Sequence, residues 1–121
     1  MIVFTYSPLA DGGSASSKDS RIIYNVTVKV DTEIAEAWLQ WLLKEHAPAI
    51  IATNCFVSYT VVKLLEVDEL DGPTYAIQYR ALSMDDYQKY ITDFAMELRQ
   101  QSIKKWGQQF VDFTTIMEVI H

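Results

Sequence analysis

The sequence of 121 residues carries a formal net charge of −6; half of its residues are hydrophobic and 21% are charged. These values fit a single globular domain with its own core, and the negative charge disfavours nucleic acid and anionic membrane surfaces as partners. The one cysteine, Cys55, excludes an intramolecular disulfide and a cysteine-based zinc site. Because residues 1–9 lack the basic start of a secretory signal and no apolar run approaches the roughly 20 residues of a membrane span, we expect a cytoplasmic protein.

Residues 1–21 are predicted to be an N-terminal extension. Residues 1–9 are apolar and could pair as an extra strand, whereas residues 10–20 are rich in Asp, Gly, Ser and Lys, a composition typical of a flexible linker. The folded domain is therefore expected to span residues 22–121.

A strand and a helix are predicted to begin this domain. Residues 22–30 alternate in polarity, with Tyr24, Val26 and Val28 on the apolar face, which is the pattern of a half-buried strand. The helix that follows is capped by Asp31 or Thr32 and carries a broad apolar arc that includes two tryptophans. Pro48 either ends this helix or opens a short second one through Ala52.

The second half of the domain is predicted to contain a hairpin, a helix and a strand. Residues 55–67 and 74–82 are rich in β-branched and aromatic residues and pair across an acidic turn at residues 68–73. Ser83 caps a second helix that bends or stops near Gln101 and ends at Gly107. The final strand covers residues 110–120, and its apolar face, which begins at Val111 and Phe113, is expected to face the core.

This order of elements is that of a ferredoxin-like α+β fold, βαββαβ, in which a four-stranded antiparallel sheet has both helices on one face. The other face is predicted to mix hydrogen-bonding groups with large apolar ones. Such a face either meets water or packs against its copy in a dimeric α/β barrel, and we expect the homodimer. The residues predicted for the dimer interface are Asn25, Thr27, Gln78, Arg80, Asp112, Thr114 and Ile116.

Several segments resemble a bacterial domain-of-unknown-function family whose members are similar to dimeric α/β-barrel proteins. The segments are residues 22–30, 38–48, 75–79, 83–87 and 110–115. The resemblance implies the fold and supplies no activity. Residues 1–21 have no counterpart in the short members of the family, so this start is an extension or a misread initiation site. Asn54 stands where glycine is common, and asparagine is the next best residue for a left-handed turn.

The candidate ligand pocket lies around the first helix. The residues predicted for it are Trp38, Trp41, Glu45, His46, Tyr59 and Tyr79. His46 is explained either by its place in the last helical turn, where the helix dipole favours it, or by a contact with a ligand. Glu45 falls inside the apolar arc, so either it points to water because the helix has ended, or it is partly buried beside a cation such as Arg80. Arg80, near Asp112 or Glu118, could bind an anion, but an ion pair with one of these carboxylates across the sheet or the dimer interface is the commoner outcome.

The function that we predict is that of a homodimeric domain that binds a small molecule or serves as an assembly module, without demonstrated catalysis. The alternative is a small monooxygenase-like or haem-degrading-like enzyme with a pocket between the first helix and the sheet. The wider barrel superfamily includes such enzymes, but that analogy is one of fold and carries no catalytic residue to this chain. The sequence indicates no metal site and leaves any cofactor unknown.

Overall fold

The computed structural model describes residues 21–121, so the predicted N-terminal extension up to residue 20 lies outside the described residues. Within the described residues, four strands and four α-helical segments follow one another. They are β1 (Ile22–Val30), α1 (Ala35–Trp41), α2 (Ala47–Ile51), β2 (Ser58–Lys63), β3 (Thr74–Ala81), α3 (Met84–Asp93), α4 (Ala95–Trp106) and β4 (Phe110–Glu118). A 3₁₀ turn at Thr32–Ile34 precedes α1, and a π-helical turn at Leu42–His46 joins α1 to α2.

The strands form one antiparallel sheet in the order β2-β3-β1-β4, which is the predicted ferredoxin-like arrangement. The helices cover one face of the sheet, which we call the inner face, and we call the opposite face the outer face. Apolar side chains of β1 and β3 pack against the first helix, residues 35–51, where Trp38 and Leu42 are almost completely buried. Pro48 lies in the first turn of α2, so the proline opens a further helical segment instead of ending the helix.

The hairpin is shorter than the sequence indicates. β2 begins at Ser58 and ends at Lys63, which lies opposite Tyr75 of β3. Glu66 adopts a positive φ of 57°, which is incompatible with a continuing strand, and the chain then forms a loop. Asn54 has a φ of 65°, so it takes the left-handed turn conformation predicted for it.

The loop after β2 returns to the end of β1 and holds it. The backbone N–H of Val30 donates to the carbonyl of Pro73 over 3.0 Å, and the N–H of Thr32 donates to the carbonyl of Asp71 over 3.2 Å. Gly72 lies buried between these two contacts with a φ of 139°. The connection from β1 to α1 therefore packs directly against the backbone of Gly72.

The second helical region is broken earlier than predicted. α3 and α4 meet at Phe94, whose φ of −129° departs from helical geometry, whereas Gln101 lies within α4. Gly107 follows the last turn of α4 with a φ of 61°, as its predicted capping role requires.

The cap of α3 is a first testable feature. Ser83 is extended, and its hydroxyl accepts a hydrogen bond of 3.2 Å from the backbone N–H of Asp86. Replacing Ser83 with alanine leaves that N–H without its partner, and we expect the free energy of unfolding to fall by about 1 kcal/mol. Urea denaturation measures this loss. Ser83→Asp, which supplies another capping oxygen, should retain most of the stability, and an equal loss in both variants would contradict a capping role.

The faces of β4 are the reverse of those predicted. Thr114 is paired with Val26, and Asp112 with Val28, both on the inner face, whereas Phe113 is paired with Thr27 on the outer face. The predicted interface residues Asp112, Thr114 and Ile116 therefore lie on the inner face. The prediction was wrong because it assumed that the more apolar side of an edge strand faces the core, and in β4 that side faces outward.

Candidate ligand-binding site

A cavity of about 390 Å³ lies between the first helix, α4 and the inner face of the sheet. Trp38, Trp41 and His46 line it from the helix side, and Ile77 and Tyr79 line it from β3. The volume lies within the range of small-molecule sites, and most of the lining is aliphatic or aromatic, as is usual for such sites. The helices and the sheet therefore border a partly open space that can hold a small molecule.

The π-helical turn decides which side chain faces this cavity. In a regular α-helix residues five positions apart point about 140° away from each other, yet the rings of Trp41 and His46 stack with centroids 4.5 Å apart and planes 20° apart. The turn at Leu42–His46 contains one more residue than an α-helical turn and so brings His46 to the place where a regular helix would put Glu45. Glu45 is exposed. Its carboxylate reaches water because the helix is widened, not because the helix has ended.

His46 is held in an apolar setting. Burial lowers the pKa of His46 to about 4, so the ring is neutral at pH 7. Its Nδ1 is buried and has no hydrogen-bond partner among residues 21–121. An unsatisfied buried polar atom costs about 1–3 kcal/mol. The indole Nε1 of Trp106, whose ring meets Trp41 edge-on at 5.8 Å, is a second buried atom without a partner in the same part of the chain.

Three tyrosines line the cavity from the sheet and from α3. The ring of Tyr24 lies 6.0 Å from that of Tyr79 and 5.7 Å from that of Tyr90. Burial raises the pKa of Tyr24 to about 12, and burial also raises the pKa of Tyr79 and of Tyr90. All three hydroxyls are therefore uncharged at pH 7, and they can donate or accept hydrogen bonds.

An ion pair borders the cavity on the side of α4. The Nη1 of Arg99 donates to Oδ2 of Asp112 over 2.8 Å, with the Asp112 side chain mostly buried and that of Arg99 half exposed. The hydrogen bond with Asp112 raises the pKa of Arg99 above its ordinary value. Asp112 therefore pairs with Arg99 and not with Arg80, which lies on the outer face. Arg99 is not among the residues predicted for the site, because the faces of β4 were assigned in reverse.

The structure separates the predicted pocket residues into two groups. Trp38, Trp41, His46 and Tyr79 line the cavity. Glu45 faces water, and Tyr59 packs against Tyr79 with ring centroids 6.0 Å apart without lining the cavity.

The predicted interface residues are also divided. Asn25, Thr27, Gln78 and Arg80 lie on the outer face, where the amide of Asn25 donates to the hydroxyl of Thr27 over 3.0 Å. Asn25 and Gln78 are each less than a tenth exposed. The exposed apolar groups of this face lie on β4, where Val111 is 66% and Phe113 is 63% exposed.

Within residues 21–121 no three His, Cys, Asp or Glu side chains come together as a metal site requires. In the same range none of the helices combines the length and the apolar character needed to cross a membrane.

Solved structures share this fold. A dimeric ferredoxin-like protein from an uncultured marine organism matches with a TM-score of 0.66 at 8% identity, over 84% of this chain and 96% of that chain. A monooxygenase from the gene ActVA-Orf6 of Streptomyces coelicolor, in complex with the ligand nanaomycin D, matches with a TM-score of 0.62 at 13% identity, over 95% and 96% of the two chains. SnoaB, a cofactor-independent oxygenase from Streptomyces nogalater, matches with a TM-score of 0.62 at 10% identity, over 84% and 95%. At these identities the likeness shows the fold alone.

The comparison with curated proteins gave no match. The comparison with family models matched residues 21–120, which is the whole of the ferredoxin-like domain apart from its last residue. The chain therefore belongs to the family described as a domain of unknown function, DUF4286.

Proposed function

We propose that this protein is a homodimeric domain that binds a small, mainly apolar molecule between its helices and its inner sheet face. The cavity of about 390 Å³ carries this proposal, because its volume and its mainly apolar lining are those of small-molecule sites. The free, buried Cys55 supports a reducing, cytoplasmic location.

Blocking the cavity tests the binding function. Ser102 is buried and lines the cavity from α4, whereas its neighbour Gln101 is exposed. In equilibrium dialysis we expect the wild-type protein and Gln101→Phe to take up naphthalene, and Ser102→Phe to take up at least about tenfold less because its ring occupies the space. Circular dichroism checks that both variants are folded. No uptake by the wild-type protein, or equal uptake by a folded Ser102→Phe, would refute the proposal.

The outer face supports the homodimer. Val111 and Phe113 are large, exposed and two positions apart on the outer side of β4, and exposed apolar groups that lie together mark interaction surfaces. Neighbours of the same fold are described as dimeric ferredoxin-like proteins. A second copy that packs by the same face would give the isologous contact of a two-fold dimer.

A charge placed at this face tests the assembly. We expect the wild-type protein to sediment as a dimer at micromolar concentration. Phe113→Glu should weaken association by about tenfold or more, because an unpaired carboxylate from each protomer would be buried in the interface. Met96→Glu is the matched control, since Met96 is 74% exposed on α4, away from the outer face. A monomeric wild-type protein, or equal weakening by both substitutions, would argue against this interface.

The oxygenase alternative requires a cavity with His46 and a polar partner for it. The cavity supports the oxygenase alternative, and so do the names of two neighbours of the same fold. However, Nδ1 of His46 has no hydrogen-bond partner within the described chain. Binding is therefore the better supported function. Oxygen consumption in the presence of a bound aromatic, abolished in His46→Phe, would favour the oxygenase instead.

A further inference from the structure

The cavity opens between α4 and β4. Among the described residues that line it, the exposed ones are Arg99 on α4 and Phe113 and Thr114 on β4. On the side of α1 and β3, by contrast, Trp38 and Ile77 are almost completely buried. A ligand in this cavity would therefore have one end in a deep apolar space and the other end at a solvated mouth.

The accessible charge at this mouth is positive. The side chain of Arg99 is 55% exposed, whereas that of Asp112, its ion-pair partner on the same wall, is only 12% exposed. Because solvent reaches the guanidinium of a residue that lines the cavity, the outer end of a ligand can reach it as well. The mouth therefore presents Arg99 to an entering molecule more than it presents Asp112.

The guanidinium of Arg99 has hydrogen-bond donors to spare. An arginine side chain carries five N–H donors in a planar fork, and the ion pair with Asp112 is one hydrogen bond of 2.8 Å from Nη1. Nε and Nη2 have no acceptor among residues 21–121. This second edge of the guanidinium has the geometry that binds both oxygens of a carboxylate.

The negative net charge of the chain opposes an anion only weakly at this position. Exposed charges more than about 8 Å apart are largely screened at physiological ionic strength. A carboxylate at the mouth would also keep part of its hydration, so that it avoids most of the cost of burying an ion. The local contact with Arg99 therefore decides the preference for charge.

We propose that the cavity binds a small aromatic acid, whose ring lies in the apolar space beside Trp38 and Trp41 and whose carboxylate binds Nε and Nη2 of Arg99 at the mouth. This inference rests on the proposed binding function and adds the chemical class of the ligand. The tryptophan rings favour an aromatic body because aromatic rings attract one another in offset and edge-on geometries.

Four compounds with the same ring system test the inference by equilibrium dialysis against the full chain at pH 7. Naphthoate is the acid, acetylnaphthalene is neutral with nearly the same shape, naphthylmethylammonium is a cation, and naphthalene has no polar group. We expect naphthoate to bind about fivefold more tightly than acetylnaphthalene, a modest factor because water screens a half-exposed guanidinium. Naphthylmethylammonium should bind more weakly than acetylnaphthalene.

Arg99→Gln and Lys104→Gln form a matched pair of variants. Each removes one positive charge from α4, but Lys104 is exposed and does not line the cavity. The preference for naphthoate over acetylnaphthalene should disappear in Arg99→Gln and persist in Lys104→Gln. Naphthalene should bind both variants as it binds the wild-type protein, which also shows that they are folded.

Three results would overturn the inference. They are equal binding of naphthoate and acetylnaphthalene by the wild-type protein, tighter binding of naphthylmethylammonium, and a preference for naphthoate that responds equally to the two substitutions. The first two are measured on the wild-type protein and do not depend on whether Arg99→Gln folds. All three leave the binding function intact, whereas failure of all four compounds to bind would refute both proposals.

Discussion

Replacing Gly72 with alanine is expected to lower the free energy of unfolding by about 3 kcal/mol or more, and to leave part of the protein unfolded at 37 °C. A Cβ atom at this position would lie 1.8 Å from the carbonyl oxygen of Val30 and 2.9 Å from the backbone nitrogen of Thr32. Both obstacles are backbone atoms, so no side chain can move aside. The φ of 139° adds strain for any residue with a Cβ. Urea denaturation followed by circular dichroism measures the loss.

Gly107 provides the control for this substitution. Its φ is also positive, at 61°, but a Cβ there meets nothing within 4 Å. Gly107→Ala should therefore cost the backbone strain alone, about 1–2 kcal/mol. If the two alanine variants lost the same stability, the close packing of the loop on the end of β1 would not be the cause of the effect at Gly72.

Acidification is expected to remove about 3 kcal/mol of stability through His46 between pH 6.5 and pH 4. Burial lowers the pKa of this ring from 6.5 in the unfolded chain to about 4 in the folded protein. Above pH 6.5 the ring is neutral in both the folded and the unfolded state, so His46 contributes no pH dependence to the free energy of unfolding. As the pH falls below 6.5 the unfolded chain binds a proton that the folded protein does not, which favours unfolding until the folded ring is also protonated near pH 4.

A comparison with His46→Phe isolates this contribution, because the carboxylates that also titrate in acid are common to both proteins. Unfolding free energies measured at pH 7, 5.5 and 4.5 should fall more steeply for the wild-type protein than for the variant. NMR titration of the ring would give its folded pKa directly. Parallel pH profiles, or a ring that titrates near its ordinary value, would show that His46 is solvated.

Much of the fold could be predicted because it depends on local patterns. The alternation in β1, the Ser83 cap and the glycine after α4 each act over a few residues, and the structure has all three where the sequence places them. The helix break was predicted near Gln101 instead of at Phe94. The apolar residues keep their helical spacing across Phe94, and only the φ of this residue departs from helical geometry.

The candidate site was predicted in part. The apolar arc of a regular helix correctly predicts that Trp38 and Trp41 line the cavity. Beyond Trp41 the widened turn rotates the following residues, so a regular helix would place Glu45 at the cavity, whereas in the structure His46 lies there. Arg99 and Asp112 could not be found from spacing, because they meet only when α4 packs against β4. The one available signal was Asp112, an acidic residue near the start of a strand that is mostly apolar and threonine-rich.

The outer face explains the error in β4. Burial patterns predicted from a sequence treat every apolar face as core, and they do not identify an apolar strand face that stays exposed in the folded chain. Val111 and Phe113 were assigned to the core for this reason.

The π-helical turn has a consequence for how chains of this fold can vary in length. The turn holds one residue more than an α-helical turn. A chain with one residue fewer between Trp41 and Pro48 would therefore form an uninterrupted α-helix, in which α1 and α2 keep the rotation about the helix axis that they have in this structure. The core would be unchanged by such a deletion. Sequence alignments across this helix should therefore permit a gap of a single residue, and an ungapped alignment would pair His46 with the wrong position.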